Sequence, residues 1–114
     1  MKREKITVEL VKDAFENISA GEEFTCSEIK SIVTALYGNM EVIPSDYCYN
    51  RTNKGIDIEK NLKEQHCFFE YVGHNRYKYI GAGKLYSGNL FHKAKGRTES
   101  IVGKINNNEI EWYE

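Results

Sequence analysis

One polar segment, residues 44–55, contains the side chains best suited to reading DNA. It reads Pro-Ser-Asp-Tyr-Cys-Tyr-Asn-Arg-Thr-Asn-Lys-Gly and is poor in residues that belong in a core. Asn and Arg side chains make paired hydrogen bonds to the edges of adenine and guanine. Pro44 suits the first turn of a helix, and Gly55 suits its end. The segment is therefore predicted to form a short recognition helix over residues 44–54.

The periodicity of this predicted helix separates a polar face from a core face. Side chains three or four residues apart share a helix face, so Asn50 lies with Asn53, whereas Cys48 and Thr52 form the least polar row. The alternative is a capped surface helix or an ordered loop in which Asn and Gly simply make turns. The predicted nucleic-acid contacts of this segment are Ser45, Tyr49, Asn50, Arg51, Asn53 and Lys54.

Positive charge is concentrated later in the chain. Residues 71–98 contain six Lys and Arg side chains and no Asp or Glu, although the formal net charge of the whole chain is −1. A basic face on a nearly neutral protein has this pattern, and a compact turn with a cation suits contact with phosphate or the minor groove. The alternative is a solvated, lysine-bearing hairpin surface. The predicted contacts here are His74, Arg76, Lys93 and Lys95.

Catalytic and metal-binding patterns are missing from the sequence. It contains no phosphate-binding loop, no serine-nucleophile motif and no zinc-protease motif. His66 and Cys67 are adjacent, so in a strand they would point to opposite faces and could not easily share a zinc ion. The three cysteines form no C-x-x-C pair and are expected to be reduced thiols. We therefore expect no enzyme activity, no cofactor and no metal.

Length and composition predict a single domain, residues 1–114. Of these 114 residues, 40 % are hydrophobic and 29 % are charged, as in ordinary globular proteins. No apolar run is long enough to cross a membrane, and the first residues do not resemble a signal peptide. We expect a cytoplasmic protein that has no membrane partner. The sequence carries no signal for an oligomeric state.

Two amphipathic helices precede the polar segment. The first is predicted over residues 7–18, with Thr7 as its cap. The second begins with a capping box, in which Thr25 and Glu28 each satisfy a backbone N–H of the first turn, and it ends at Gly38. Its buried stripe is predicted to be Ile29, Ile32, Val33 and Leu36.

The second half of the chain has the pattern of β-hairpins. Residues 67–72 and 76–80 are rich in aromatic and β-branched side chains and flank a Gly-His-Asn turn. A second hairpin is predicted around the Asn-Asn-Asn turn at 106–108. Residues 57–65 indicate a loop or a short helical turn. These elements predict an α+β winged helix: a helical half, residues 1–55, with three helices, then a β-rich half, residues 66–114, with a wing hairpin and a β-rich C-terminal extension.

Residues 42–79 resemble an uncharacterised group of small bacterial winged-helix-like domains. The resemblance centres on residues 42–55 and extends to residues 69–73, 77–81, 86–88 and 92–93. Such domains are similar to DNA-binding modules, which stand alone or are attached to HNH-type nucleases in restriction contexts. Because this chain has no HNH motif, the resemblance implies the DNA-binding part only. It also implies a nuclease or another protein as a partner.

These features together predict non-enzymatic binding of double-stranded DNA, with the 44–54 helix in the major groove and the basic residues on the backbone. One alternative is a protein–protein interaction module on a winged-helix scaffold, with Tyr77 and Tyr79 as anchors. Another is a single-stranded nucleic-acid or RNA binder whose tyrosines stack on bases. Those stacking residues would be Tyr47, Tyr49, Tyr77 and Tyr79.

Overall fold

Most of the regular structure of this chain is β-sheet. The computed structural model describes residues 4–5, 7–38, 40–52, 56–73, 75–92 and 100–113. For residues 4–5 it describes the backbone only. Within these residues the strands form three sheets. The first pairs β1 (Glu4–Lys5) with β3 (Met40–Glu41), and the second has the order β2 (Glu23–Thr25), β6 (Arg76–Tyr79), β5 (Phe69–Gly73). The third has the order β4 (Arg51–Thr52), β7 (Gly88–His92), β8 (Ser100–Asn106), β9 (Glu109–Trp112).

The helices are short, and their side-chain caps begin them where the sequence indicates. They are α1 (Val8–Ala14), α2 (Cys26–Tyr37) and α3 (Ile58–Lys63). Thr7 caps α1, and the Thr25–Glu28 capping box of α2 is present, so both predictions are confirmed. Asp57 caps α3, which occupies part of the region expected to be a loop or a helical turn. Leu36 is 58 % exposed, so its predicted place in the buried stripe of α2 is wrong.

Two hydrophobic clusters hold these elements together. The first joins α1 and α2 to the three-stranded sheet, and the Phe15 and Phe69 rings meet there edge to face at 5.1 Å. The second packs α3 against the four-stranded sheet through Leu62, Leu90 and Ile105. Buried aromatic pairs of this kind add specific geometry to the hydrophobic effect. Each of the two larger sheets therefore has its own helical cover.

The predicted winged helix is wrong, although the chain does mix helices and strands. The third helix expected over residues 44–54 does not form. A 3-10 helix covers only Pro44–Tyr47, Cys48 makes a parallel bridge with Phe69, and the chain then enters β4. Pro44 does start a helical turn, but pairing with strands on both sides satisfies the following backbone groups. Tertiary pairing thus overrides the local helix signal, which is a weak prior.

Both hairpins predicted from turn residues are confirmed. β5 and β6 pair in antiparallel fashion from Phe69 opposite Tyr79 to Gly73 opposite Arg76. β8 and β9 pair likewise across Asn107 and Asn108, whose φ angles are 50° and 69°. Positive φ at both central residues is typical of the type I′ turn that matches strand twist. β6 also pairs with β2, so the hairpin is part of a larger sheet and not a free wing.

Candidate nucleic-acid interface

The polar segment lies between two sheets and links them. We call residues 47–52 the seam segment. On one side Phe68 N–H donates to the Tyr47 carbonyl at 2.7 Å, and Tyr49 N–H donates to the Phe69 carbonyl at 2.8 Å. On the other side Phe91 N–H donates to the Asn50 carbonyl at 2.9 Å. The segment runs parallel to both β5 and β7.

Asn50 extends this pairing with its side chain. Its Nδ2 donates to the Tyr71 carbonyl at 2.9 Å, and its Oδ1 accepts from the Tyr71 N–H at 2.8 Å. The residue is only 3 % exposed. The Asn50 amide therefore pairs with β5 in the way that a backbone peptide group would. It is not positioned to form hydrogen bonds with the edge of a base.

Tyr49 is also used internally. It is 2 % exposed, and its hydroxyl donates to the Gly81 carbonyl at 2.6 Å while accepting from the Lys84 N–H at 3.2 Å. Its ring stacks on that of Tyr86, with centroids 5.4 Å apart. Burial raises the pKa of Tyr49 to about 12. Tyr49 thus fixes the 81–86 loop, and its hydroxyl already has two backbone partners there.

Arg51 is half-buried and turns toward the β5–β6 hairpin. Its Cζ lies 4.0 Å from the centroid of the Tyr71 ring, within the range of a cation–π contact. Its Nη1 donates to the Tyr77 hydroxyl at 2.7 Å. Ser45 is also half-buried, in the 3-10 helix. The structure therefore brings Tyr49, Asn50 and Arg51 together as a structural joint between two sheets.

Three strands that run in the same direction finish at one end of the molecule. Cys48 lies opposite Phe69, and Asn50 meets Tyr71, so the seam segment advances in step with β5 toward Gly73. Thr52 lies opposite His92, so β4 and β7 also finish together. We call this end, defined by Thr52, Gly73 and His92, the basic end because of the sequence that follows each strand.

The chain segments that follow these strand ends are rich in cations. Residues 53–55 contain Lys54, and residues 93–99 contain Lys93, Lys95 and Arg97 against one acid, Glu99. Five of the predicted contacts lie outside the described residues: Asn53, Lys54, His74, Lys93 and Lys95.

Two contacts were predicted near the β5–β6 turn, and of these Arg76 lies within the described residues. It begins β6 opposite Gly73, at the basic end. Its Nε lies 3.4 Å from Oε1 of Glu23, and both side chains are about half exposed. An exposed pair of this kind is weak, so it leaves the guanidinium accessible to a stronger anion.

The tyrosines assigned to the two alternative functions are mostly inside. Tyr47, Tyr49 and Tyr77 are buried, and Tyr79 packs partly buried against the first cluster. Desolvation raises the pKa of Tyr47 to about 12, and it also raises the pKa of Tyr77 above its ordinary value. The three buried rings are therefore not accessible for stacking on bases or for anchoring a protein partner.

One polar contact between the two clusters was not predicted from the sequence. The Tyr86 hydroxyl donates to Oε2 of Glu70 at 2.6 Å, and Nζ of Lys78 lies 3.9 Å from Oε1 of the same carboxylate. Nothing in the local sequence links Tyr86 to a residue on β5, because the contact depends on how the two sheets meet.

Across the described ranges, no group of three or more His, Cys, Asp or Glu side chains could hold a metal ion. The same residues include no helix with the length and apolar character needed to span a bilayer. Cys48 and Cys67 are buried and free, and burial raises the pKa of Cys67 to about 12. High thiol pKa values are typical of structural and not of nucleophilic cysteines.

Comparisons with known proteins place the chain in a family without assigning a function. It is 40 % identical over 96 residues to the uncharacterized protein YnaC of Bacillus subtilis (strain 168), an alignment that covers 82 % of this chain. The chain spans about a third of the length of that curated relative, 34 %. No solved structure matches. Neither match supports an association with winged helices or HNH-type nucleases. Residues 6–112 match a family model described as Domain of unknown function (DUF7225), and the chain belongs to this family.

Proposed function

We propose that this domain binds double-stranded DNA through the backbone phosphates, using the basic end where β4, β5 and β7 finish. The observation that supports the proposal is the shared end point of these three strands, Thr52, Gly73 and His92. Each is followed by a stretch that carries a cation or a histidine. Phosphate contacts of this kind position a protein on the duplex without reading its sequence.

The proposed contact differs from that of a recognition helix. Asn50 and Tyr49 are buried and hydrogen-bonded to the backbone of their own chain. Sequence preference should therefore be small, because no described residue of the seam segment presents a free amide edge to a base. Binding energy would come from neutralised phosphates and released counterions.

The charge distribution also supports an oriented contact. The formal net charge of the whole chain is −1, although residues 71–98 contain six cations and no acid. The rest of the chain therefore carries a net negative charge. The acidic remainder would be repelled by the duplex, so the basic end would be favoured as the contact surface. This is steering by charge, and it weakens as salt screens it.

The experiment is fluorescence anisotropy of a labelled random-sequence duplex at 50 and 200 mM salt, concentrations chosen by the general salt dependence of such contacts. About three phosphate contacts would give roughly a 40-fold loss of affinity over that range. The variant Arg76→Ala/Lys93→Ala/Lys95→Ala should lose most of the binding. Lys12→Ala/Lys30→Ala/Lys63→Ala, which removes three exposed lysines of α1, α2 and α3, is the matched control and should bind normally.

No binding at 50 mM salt would overturn the proposal. Equal losses in the two multiple variants would also overturn it, since binding would then follow total charge and not the basic end. If unlabelled single-stranded DNA displaces the labelled duplex more effectively than unlabelled duplex does, the phosphate contact belongs to single-stranded nucleic acid.

A further inference from the structure

The outer edge of β9 has backbone groups that are directed away from the sheet. Within the described residues, β9 pairs only with β8. Tyr113 N–H donates to the Val102 carbonyl at 2.8 Å, which identifies that pair as hydrogen-bonded. Because antiparallel pairs alternate between bonded and non-bonded positions, the amides and carbonyls of Ile110 and Trp112 point outward. This is the arrangement onto which another strand can add.

A groove accompanies the first part of this edge. It has a volume of about 760 Å³ and lies between α3 and residues 108–110. The indole N–H of Trp112 donates to Oε1 of Glu59 at 3.2 Å, which ties α3 to the far part of the strand. Ile110 packs against the second hydrophobic cluster, and Trp112 is 46 % exposed. An added strand would therefore meet two apolar side chains, Ile110 and Trp112, on this face, beside the charged side chains of α3.

Carboxylates surround the edge. The five exposed acids on the two faces outnumber the three nearby lysines, which are Lys60 and Lys63 of α3 and Lys104 of β8, opposite Glu111. Side chains alternate along a strand, so Glu109 and Glu111 lie on the face opposite Ile110 and Trp112. The acids at this edge are Asp57, Glu59, Glu64, Glu109 and Glu111.

We propose that the outer edge of β9 binds an extended basic peptide segment of a partner protein by strand addition. Its cations would alternate with apolar residues, so that Lys or Arg face Glu109 and Glu111 while the apolar side chains face Ile110 and Trp112. A second copy of this chain fits poorly, because pairing β9 with itself would bring glutamates together, and like charges across strands are destabilising.

The test uses the full chain and a fluorescent, capped peptide of six residues that alternates Lys and Val. We expect saturable binding, and no binding of the matched peptide that alternates Glu and Val. Two versions of the Lys–Val peptide with methylated backbone nitrogens supply the backbone control. One is methylated at the backbone nitrogen of every Lys, and the other at that of every Val. Only alternate N–H groups of a strand face its neighbour, so one version should bind normally and the other at least roughly tenfold more weakly.

Protein variants test the charge. Glu109→Gln/Glu111→Gln should weaken the peptide several-fold, whereas Glu9→Gln/Glu16→Gln, two exposed acids near the N-terminus, should leave binding unchanged. An equal effect of the two pairs would overturn the proposal, because binding would then depend only on net charge. So would normal binding of both N-methylated peptides.

Amide hydrogen exchange gives the structural readout. The Ile110 and Trp112 amides should exchange quickly in the free protein and slow down with bound peptide, whereas that of Tyr113, already bonded to Val102, should change little. Slow exchange at Ile110 and Trp112 in the free protein together with a dimeric elution volume would overturn the proposal in favour of a second copy. Peptide binding without protection at these two amides would also refute it.

Discussion

Replacing Asn50 with Ala should destabilise the fold without altering any reading of DNA sequence. The change removes both hydrogen bonds to Tyr71 and leaves a partly buried N–H and C=O without their partner. Each unsatisfied group costs about 1–3 kcal/mol, and partial access to water places the combined loss at about 2–4 kcal/mol. Urea unfolding followed by circular dichroism measures this loss, and an unchanged m-value would show that the unfolded states are comparable.

Asn50→Asp is a sharper version, because it changes the chemistry and keeps the shape. One carboxylate oxygen can still accept from the Tyr71 N–H, but the other would face the Tyr71 carbonyl, at the position from which Nδ2 now donates. Burial and this repulsion should raise the pKa of the introduced carboxyl above its ordinary value of about 3.9. The variant should therefore be most stable below that value and lose stability as pH rises through its raised folded pKa.

The deciding measurement is the difference in the free energy of unfolding between Asn50→Asp and the unsubstituted protein. It is taken at pH 4.5 and at pH 8, a range chosen to span the raised pKa. The difference should be larger at pH 8. An Asn50→Ala loss below about 0.5 kcal/mol, the usual size of a neutral surface change, would refute the structural role of this amide. A pH-independent difference for Asn50→Asp would contradict the proposed donor contact to the Tyr71 carbonyl.

Three other outcomes are expected. A thiol reagent at pH 8 should modify half-buried Cys26 quickly and the buried Cys48 and Cys67 only after unfolding, since burial raises the pKa of both inner thiols; equal rates at all three would contradict this. Gly103→Ala should lower the free energy of unfolding by about 1–3 kcal/mol in the same urea titration, because its Cβ would lie 2.8 Å from the Glu111 carbonyl oxygen of β9. Hydrogen bonds from Thr25, chiefly the one from its backbone N–H, lower the pKa of Glu28 below its ordinary 4.5, so this stability is present above that value and is lost as pH falls through the lowered folded pKa; the difference in Tm between the unsubstituted protein and Glu28→Gln should shrink from pH 6 to pH 3.

Local sequence signals predicted the elements that depend on contacts between residues close together in the sequence. The Thr25–Glu28 capping box needs only residues three apart, and the Asn107–Asn108 turn needs only two positive φ angles. The seam segment depends instead on β5 and β7, which lie about 20 and 40 residues further along the chain. Its Pro44 begins a helical turn as expected, but no local pattern specifies the strands that then receive the chain.

The Asn50 amide has a structural use that its residue type alone does not reveal. Asn is suited to adenine because it presents a donor and an acceptor side by side. A peptide unit in an open strand position offers the same complementary pair, and Tyr71 provides it to Asn50. Composition alone cannot distinguish the two uses, since the side chain is identical. Burial distinguishes them, and burial depends on the contact between two sheets.

The two proposed contacts should act independently, because the four-stranded sheet separates them. β7 and β9 are both antiparallel to β8, so they run in the same direction, and the groove at residues 108–110 lies beside the start of β9. The basic end lies where β7 finishes, about the length of β8 away. A strand of 7 residues spans roughly 20 Å, and Trp112, opposite Gly103, is nearer to the basic end at roughly 14 Å; both distances exceed the screening length of about 8 Å at physiological salt. Glu109→Gln/Glu111→Gln should therefore leave the DNA affinity unchanged, and a changed DNA affinity would show that the edge of β9 and the basic end are coupled.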